Sequence, residues 1–140
     1  MARRSRSREV ALQVLFQDDV NPSASVEQEK AFLEARLKAP ELVEFAHSLV
    51  LGVRRNQGEL DAMLDATASN WSLKRMAATD RNVLRLGAFE ILYTETPGRV
   101  AINEAVELAK RFGAGQSAHF VNGILDKVLQ ASGKKLADDR

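Results

Sequence analysis

The spacing of apolar residues constrains the fold of this chain more than any other feature of the sequence. Between the prolines at positions 22, 40 and 97, apolar side chains recur at intervals of three and four residues, which is the period of an α-helix. No segment sustains the strict apolar–polar alternation of a half-buried strand. With 140 residues, of which 45% are hydrophobic, the chain is long enough to bury the core of one domain. We therefore predict an all-α protein.

Seven helical segments fit this pattern. Ser25 with Gln28 has the sequence of a capping box, and Pro40 suits the first position of a helix. A break is predicted near Asn56-Gln57-Gly58, and a loop at residues 69–72 carries the only tryptophan. This loop divides the single predicted domain, 1–140, into an N-terminal subdomain of about residues 5–70 and a C-terminal subdomain of about 71–131. The helices are predicted to begin near Ser7, Ser25, Pro40, Gly58, Thr79, Ala101 and Gln116.

The fifth helix contains the most apolar segment of the chain. Residues 83–93 read VLRLGAFEILY, so this helix is apolar on most sides. Such a helix is usually central and surrounded by its neighbours. We expect Phe89 and Tyr93, which lie one turn apart on it, to belong to the core.

The composition argues against an enzyme or a metalloprotein. The chain has no cysteine, so a disulfide, a thiolate nucleophile and a cysteine-based zinc site are excluded. Neither His47 nor His119 has a partner at metal-ligand spacing, and HExxH, GxSxG and P-loop motifs are absent from the sequence. We predict no catalytic residue, no cofactor and no metal. The paired acids are interpreted as solvated helix faces: Asp61 with Asp65, and Glu104 with Glu107.

No stretch approaches the roughly 18 apolar residues that a membrane span requires. No signal-peptide apolar region follows the basic N-terminus. We expect a cytoplasmic protein with no membrane partner.

The sharpest physical feature is a cluster of arginines at the N-terminus. Four of the first eight residues are arginine (Arg3, Arg4, Arg6 and Arg8), although the formal net charge of the chain is only +1. The planar guanidinium group suits phosphate and base edges. Mutual repulsion predicts a loosely ordered arm in the absence of a polyanion. Either the cluster is a solubilising tail, or it binds a nucleic acid from the rigid base of the following helix.

Binding sites for single-stranded nucleic acids combine such charge with exposed aromatic rings, on which bases stack. Phe16 borders the apolar stripe of the first helix, and Phe120 lies in the first turn of the last helix. From the residues alone, both rings are candidates for stacking, but the residues favour a core position over a stacking one.

Three segments of the sequence resemble the NusB family. They are RRSRSREVALQVLFQ at 3–17, TDRNVLRLGAFEIL at 79–92 and RVAINEAVELAKRFGAGQSAHFVNGILDKV at 99–128. The resemblance implies a seven-helix fold of two packed helical subdomains and binding of the single-stranded boxA element of ribosomal RNA. It also implies a small-subunit ribosomal protein, acting as NusE, as a partner, and a larger complex with NusA, NusG and RNA polymerase.

The resemblance also implies which residues form the RNA-binding surface. Asp80 matches an acidic position that can accept from base amino groups. The chain departs from the family pattern at Gly115-Gln116 and at His119, where other members often carry charge. The implied RNA-binding residues are Arg3, Arg4, Arg6, Arg8, Phe16, Asp80 and Phe120, with Phe112 and His119 as weaker candidates.

Two other functions remain open from the sequence. The chain could be a homodimeric protein-interaction module with secondary RNA binding, or an accessory domain for RNA modification. Gly123, in the interior of the last helix, is predicted to permit close helix packing rather than to contact RNA directly.

Overall fold

The protein is a bundle of helices in which no β-strand occurs among the residues that the computed structural model describes, 2–22 and 24–134. The all-α prediction is confirmed, but these ranges contain six α-helices and one short 3₁₀ helix, so the predicted count of seven is wrong. None of these helices is long and apolar enough to cross a membrane. The elements are α1 (Ala2–Val20), α2 (Val26–Arg36), α3 (Pro40–Thr67), the 3₁₀ helix (Leu73–Arg75), α4 (Ala78–Tyr93), α5 (Gly98–Phe112) and α6 (Ser117–Ser132).

The difference in helix count comes from α3, which continues through the predicted break. The side chain of Asn56 donates a 2.8 Å hydrogen bond to the carbonyl of Gly52, one turn earlier in the same helix. The buried stripe resumes two turns after Val53 at Leu60. Because burial continues on the same face, the packing of α3 outweighs the local preference of Asn56-Gln57-Gly58 for a turn.

Helix α1 begins at Ala2, so the prediction of a loosely ordered arginine arm is wrong. The arginines repel one another less than expected because carboxylates from other helices reach them. Glu41 comes from α3, Glu90 from α4 and Glu104 from α5. Only the complete fold brings these acids together, so residues 3–8 could not reveal them.

The local signals at the starts of α2 and α3 are confirmed. Ser25 accepts a hydrogen bond from the backbone of Gln28, whose side chain accepts in turn from the backbone N–H of Ser25. Pro40 is the first residue of α3.

Helix α4 is the central element, as its composition predicts. It packs against α1, α3, α5 and α6, and every residue from Asn82 to Ile91 is buried. At Gly87 a Cβ atom would lie 2.5 Å from the side chain of Leu125, so this glycine permits α6 to approach closely. The prediction of a core position is confirmed for Phe89 and wrong for Tyr93. The Tyr93 ring is exposed, stacks on Phe89, and donates its hydroxyl to Glu59.

One lysine binds carbonyl groups in the last turn of α4 and in the segment that follows it. The Nζ atom of Lys134 donates to the carbonyl oxygens of Ile91, Thr94 and Thr96 at 2.9, 3.1 and 2.6 Å. Gly133, whose φ of 75° is left-handed, ends α6 and turns the chain towards these carbonyls. This contact fastens the end of the described chain to the central helix.

Candidate nucleic-acid interface

The first two predicted arginines lie against the start of α3. Arg3 forms an exposed ion pair with Glu41 at 3.2 Å. The guanidinium group of Arg4 lies 4.3 Å from the centre of the Phe45 ring, which orients it by a cation–π contact. Both side chains are exposed, so both have donors available to a ligand.

Arg6 pairs with a carboxylate of its own helix. Its Nη1 atom lies 3.1 Å from Oε2 of Glu9, and Oε1 of the same carboxylate accepts a 3.0 Å hydrogen bond from Nη1 of Arg111. Glu9 therefore joins an arginine of α1 to an arginine of α5. The Arg111 guanidinium also lies 5.2 Å from the centre of the neighbouring Phe112 ring.

Arg8 is enclosed by the protein. Its side chain is 4% exposed and donates from Nε and Nη2 to both carboxylate oxygens of Glu90, at 2.7 and 2.8 Å. Burial lowers the pKa of Arg8, but the hydrogen bonds and charges of Glu90 and Glu104 outweigh it and raise the pKa above its usual value. The expectation of four solvent-facing guanidinium groups is therefore corrected to three, because Arg8 is folded inwards.

Two of the predicted aromatic residues line one open groove, which we call the aromatic groove. Its volume is about 720 Å³, and α1 and α2 supply most of its wall. Phe16 of α1 and Phe112 of α5 border it, with 37% and 38% of their surfaces exposed. Thr79, in the first turn of α4, also lines it. The fold thus brings together rings that are 96 positions apart in the sequence (112 minus 16).

Asp80 follows Thr79 directly, in the first turn of α4. Its Oδ1 atom is buried and finds no hydrogen-bond donor within the described part of the chain. A buried oxygen without a donor is costly. This carboxylate therefore has hydrogen-bonding capacity that the described residues leave unused.

Phe120 does not line the aromatic groove. It is half-buried at the start of α6, where its ring meets that of Trp71 edge-on, with centroids 5.3 Å apart. Trp71 is 59% exposed, and His119 is also exposed. The predicted packing role of Gly123 is wrong, because a Cβ atom there would meet no atom within 4 Å.

Sequence reasoning missed Trp71 and the pair of Glu9 and Arg111. The signal for Trp71 was its place in a loop, where a large ring often remains exposed. The signal for Arg111 was the basic pair Lys110-Arg111 directly before Phe112. No local pattern indicated that Glu9 meets Arg111, because this contact joins helices that are distant in the sequence.

The four paired acids, predicted to form solvated helix faces, divide between exposed positions and half-buried positions. Asp61 accepts hydrogen bonds from the buried Arg85 at 2.7 and 2.9 Å. Asp65 accepts from the backbone of Leu73, and Glu104 accepts from the Ser5 hydroxyl. Glu107, paired with Lys110, and Asp65 are exposed as predicted, whereas Asp61 and Glu104 are half-buried. No group of three or more potential metal ligands occurs in the described ranges.

A second ionic network holds the C-terminal half of α1 to the start of α4. The Asp19 carboxylate accepts hydrogen bonds from Arg81, Asn82 and Arg85 at 2.9, 2.8 and 3.2 Å. Burial alone would raise the pKa of Asp19, but the hydrogen bonds from Arg81 and Asn82 and the charge of Arg85 lower it below its usual value. This network fixes α1, which carries Phe16, relative to Thr79 across the aromatic groove.

Comparisons with known proteins agree on one family. The model of the NusB family matches residues 5–130. The transcription antitermination protein NusB of Anaeromyxobacter dehalogenans strain 2CP-1 is 45% identical over 128 residues, covering 91% of this chain and 90% of that protein. Its counterpart in Myxococcus xanthus strain DK1622 is 44% identical, covering 96% and 99%. A solved structure of antitermination factors NusB and NusE in complex with dsRNA superposes with a TM-score of 0.82 at 29% identity, covering 94% and 98%.

Proposed function

The chain belongs to the NusB family of transcription antitermination factors, which are RNA-binding proteins and not enzymes, and from this premise we propose that it binds the boxA element of ribosomal RNA transcripts. Bound there with a small-subunit ribosomal protein acting as NusE, it would support processive transcription of ribosomal RNA operons. NusA, NusG and RNA polymerase would complete the assembly.

The observation that supports this proposal most strongly is the aromatic groove. Phe16 and Phe112 offer ring faces to unpaired bases, and base–aromatic stacking is the common recognition mode for single strands. The exposed guanidiniums of α1 supply positive charge on the same helix as Phe16. Exposed positive charge and one ring on α1, with a second ring on α5, suit the binding of an unpaired strand.

Asp80 and Phe120 extend the proposed contacts. Asp80, a half-buried residue in the first turn of α4, would accept hydrogen bonds from base amino groups. Phe120 would offer a further ring next to Trp71, and the exposed His119 lies beside it. Arg8 would act indirectly by fixing α1, since its guanidinium is buried.

The protein partner is proposed from a similar protein. The NusB chain that superposes on this one was solved together with NusE and dsRNA. We propose that this chain likewise binds RNA together with the ribosomal protein. The ribosomal protein would dock against the C-terminal helices, away from the arginines of α1.

Salt dependence gives a first quantitative expectation. Each phosphate contact on a single strand contributes about −0.7 to the slope of log K against log salt concentration. Four contacting arginines would give about −3, whereas the three exposed ones give about −2. Arg3, Arg4 and Arg6 therefore set the expected slope from α1.

An electrophoretic mobility shift tests the proposed function. The full chain is titrated against boxA RNA and against a scrambled RNA of equal length and composition, with and without the ribosomal partner protein. We expect a shift at lower protein concentration for boxA, and a further gain when the partner is present. Equal binding of the two RNAs under both conditions would contradict the proposal.

A homodimer is a second candidate, favoured by the open apolar wall of the aromatic groove. Phe16, Phe32 and Phe112 line it, and a second copy of the chain could cover them. Light scattering with and without boxA RNA separates the two functions. A dimer that RNA dissociates would have the groove as its interface, whereas a monomer at all concentrations would exclude this candidate.

We also propose the division into two subdomains, about 5–70 and 71–131, with its boundary at the loop that carries Trp71. The buried apolar residues form one continuous core, so the two groups of helices are expected to unfold together. A single transition, observed by both far-ultraviolet circular dichroism and Trp71 fluorescence, is the expected result.

A further inference from the structure

Arg111 carries positive charge to the edge of the aromatic groove from a helix other than α1. Its side chain is 60% exposed and lies next to Phe112, one of the rings that border the groove. The contact with Glu9 and the position near the Phe112 ring restrain the guanidinium, so less side-chain entropy is lost when it binds a ligand.

Glu9 places this guanidinium beside a second one. The carboxylate is almost buried, with 11% of its side chain exposed, and each of its two oxygens contacts one arginine. Because a guanidinium group has five N–H donors, Arg6 and Arg111 both keep donors that Glu9 does not use. Two cations share one anion, which leaves the cluster with a net positive charge at the seam between α1 and α5.

We propose that Arg6 and Arg111, held together by Glu9, form a phosphate-binding clamp that guides the RNA backbone across the seam between α1 and α5 into the aromatic groove. The inference rests on the proposed RNA binding and adds a backbone contact from α5 to it. Glu9 is a positioning residue in this clamp, while Arg6 and Arg111 contact phosphate oxygens.

The clamp differs in its effect from the contacts at base edges. A phosphate contact carries no sequence information, so its loss weakens binding to all RNAs by a similar factor. One lost contact also lowers the steepness of the salt dependence by about 0.7 and weakens binding about fivefold at 0.1 M salt. These two signatures identify a phosphate ligand without a structure of the complex.

The test compares Arg111→Gln with Arg99→Gln in the full chain. Arg99 is a matched control because it lies on the same helix and also pairs with a carboxylate, that of Asp126 at 3.4 Å. It is 12 residues from Arg111, or about 18 Å along the helix axis. Fluorescence anisotropy is measured with labelled boxA RNA and with oligouridine of the same length, at several salt concentrations.

We expect Arg111→Gln to lower the slope by about 0.7 for both probes, and Arg99→Gln to leave affinity and slope unchanged. Arg111→Lys should retain the slope, because it keeps the charge. If Arg111→Gln and Arg99→Gln behave alike, or if Arg111→Lys loses the slope as completely as Arg111→Gln, the clamp is overturned.

The same data distinguish this inference from the proposed function. If the wild-type chain binds oligouridine and boxA with equal affinity, boxA recognition is contradicted. The difference in salt slope between Arg111→Gln and Arg99→Gln still tests the clamp. If the wild-type chain prefers boxA and Arg111→Gln does not change its binding, the proposed function stands and the clamp is overturned. A chain that binds neither RNA overturns both.

Discussion

Helix α1 carries arginine both on the face that packs into the protein and on the face that borders solvent. The arginine on the packed face is buried, and the one on the solvent face is exposed. Arg8 is enclosed by Glu90 and Glu104, whereas Arg6, two residues earlier, remains about half exposed beside Glu9. The difference teaches that residue type alone does not identify an RNA-contacting arginine. The direction of the side chain around the helix axis decides whether the charge stabilises the fold or is available to a ligand.

The two faces also differ in what a mutation removes. A buried ion pair gains little over a well-packed apolar pair, but removing one partner leaves an uncompensated charge in the interior. An exposed arginine contributes little to stability, because solvent screens it. Stability and RNA affinity should therefore respond to different arginines of the same helix.

The largest expected effect is that of Arg8→Met. This change leaves the carboxylate of Glu90 buried without its bidentate partner, and the free energy of unfolding should fall by about 3–5 kcal/mol. Urea denaturation followed by circular dichroism measures the loss. The double variant Arg8→Met, Glu90→Leu should recover much of it, because both charges are then absent.

The exposed counterpart sharpens this comparison. Arg6→Gln should change the free energy of unfolding by no more than about 0.5 kcal/mol while weakening RNA binding. The assignment of Arg8 to stability and Arg6 to RNA binding would be contradicted if Arg8→Met left stability unchanged and reduced RNA affinity instead.

Phe120→Ala should have the next largest effect, on RNA affinity. Loss of one base–aromatic stack weakens binding by about 1–3 kcal/mol. The expected result is reduced boxA affinity with a helical circular dichroism spectrum. Since Phe120 is half-buried and contacts Trp71, the fluorescence of this single tryptophan reports any local change.

Tyr93→Ala provides the control for Phe120. Tyr93 is also an exposed ring that contacts another aromatic residue, but it lies at the opposite end of α4 from Asp80. The substitution Tyr93→Ala should therefore leave the affinity for boxA RNA unchanged. If Phe120→Ala abolishes the helical spectrum, its ring belongs to the core and not to the RNA-binding face.

These contrasts explain how much of the protein the sequence could predict. Helical periodicity, the capping box of Ser25 and the apolar run in α4 are local, so the fold class and most helix starts were predictable. The burial of Arg8 was not, because its partners Glu90 and Glu104 are more than 80 positions away in the sequence. The continuity of α3 was missed for a related reason, since tertiary burial on both sides of Gly58 overrides its local preference.

The candidate site divides in the same way. Motif resemblance indicated Phe16, Phe112 and Phe120 individually, but not that the first two share a groove while the third contacts Trp71. Such pairings depend on helix crossings that no local pattern encodes.

A smaller effect, which disappears at acid pH, is expected at the network in which Asp19 binds Arg81, Asn82 and Arg85. The pKa of Asp19 is lowered in the folded state, so its ionised form contributes stability above the pKa of about 3.9 of an unfolded aspartate. This contribution is lost as the pH falls from that value through the lower folded pKa. Unfolding of wild type and Asp19→Asn should therefore differ at neutral pH and converge at acid pH. A difference that does not depend on pH would contradict the assigned role of the charge.

The smallest expected effect contrasts two glycines on buried and exposed helix surfaces. Gly123→Ala introduces a Cβ atom into open space on α6 and replaces a poor helix former, so stability should rise by about 1 kcal/mol. Gly52→Ala, on α3, directs its Cβ atom into the ring of Phe89 and should destabilise despite the same gain in helix propensity. Thermal unfolding measures both changes. If Gly123→Ala also lowers boxA affinity, RNA approaches α6 one turn beyond Phe120, and the RNA-binding face extends further along this helix; if affinity is unchanged, the face ends before Gly123.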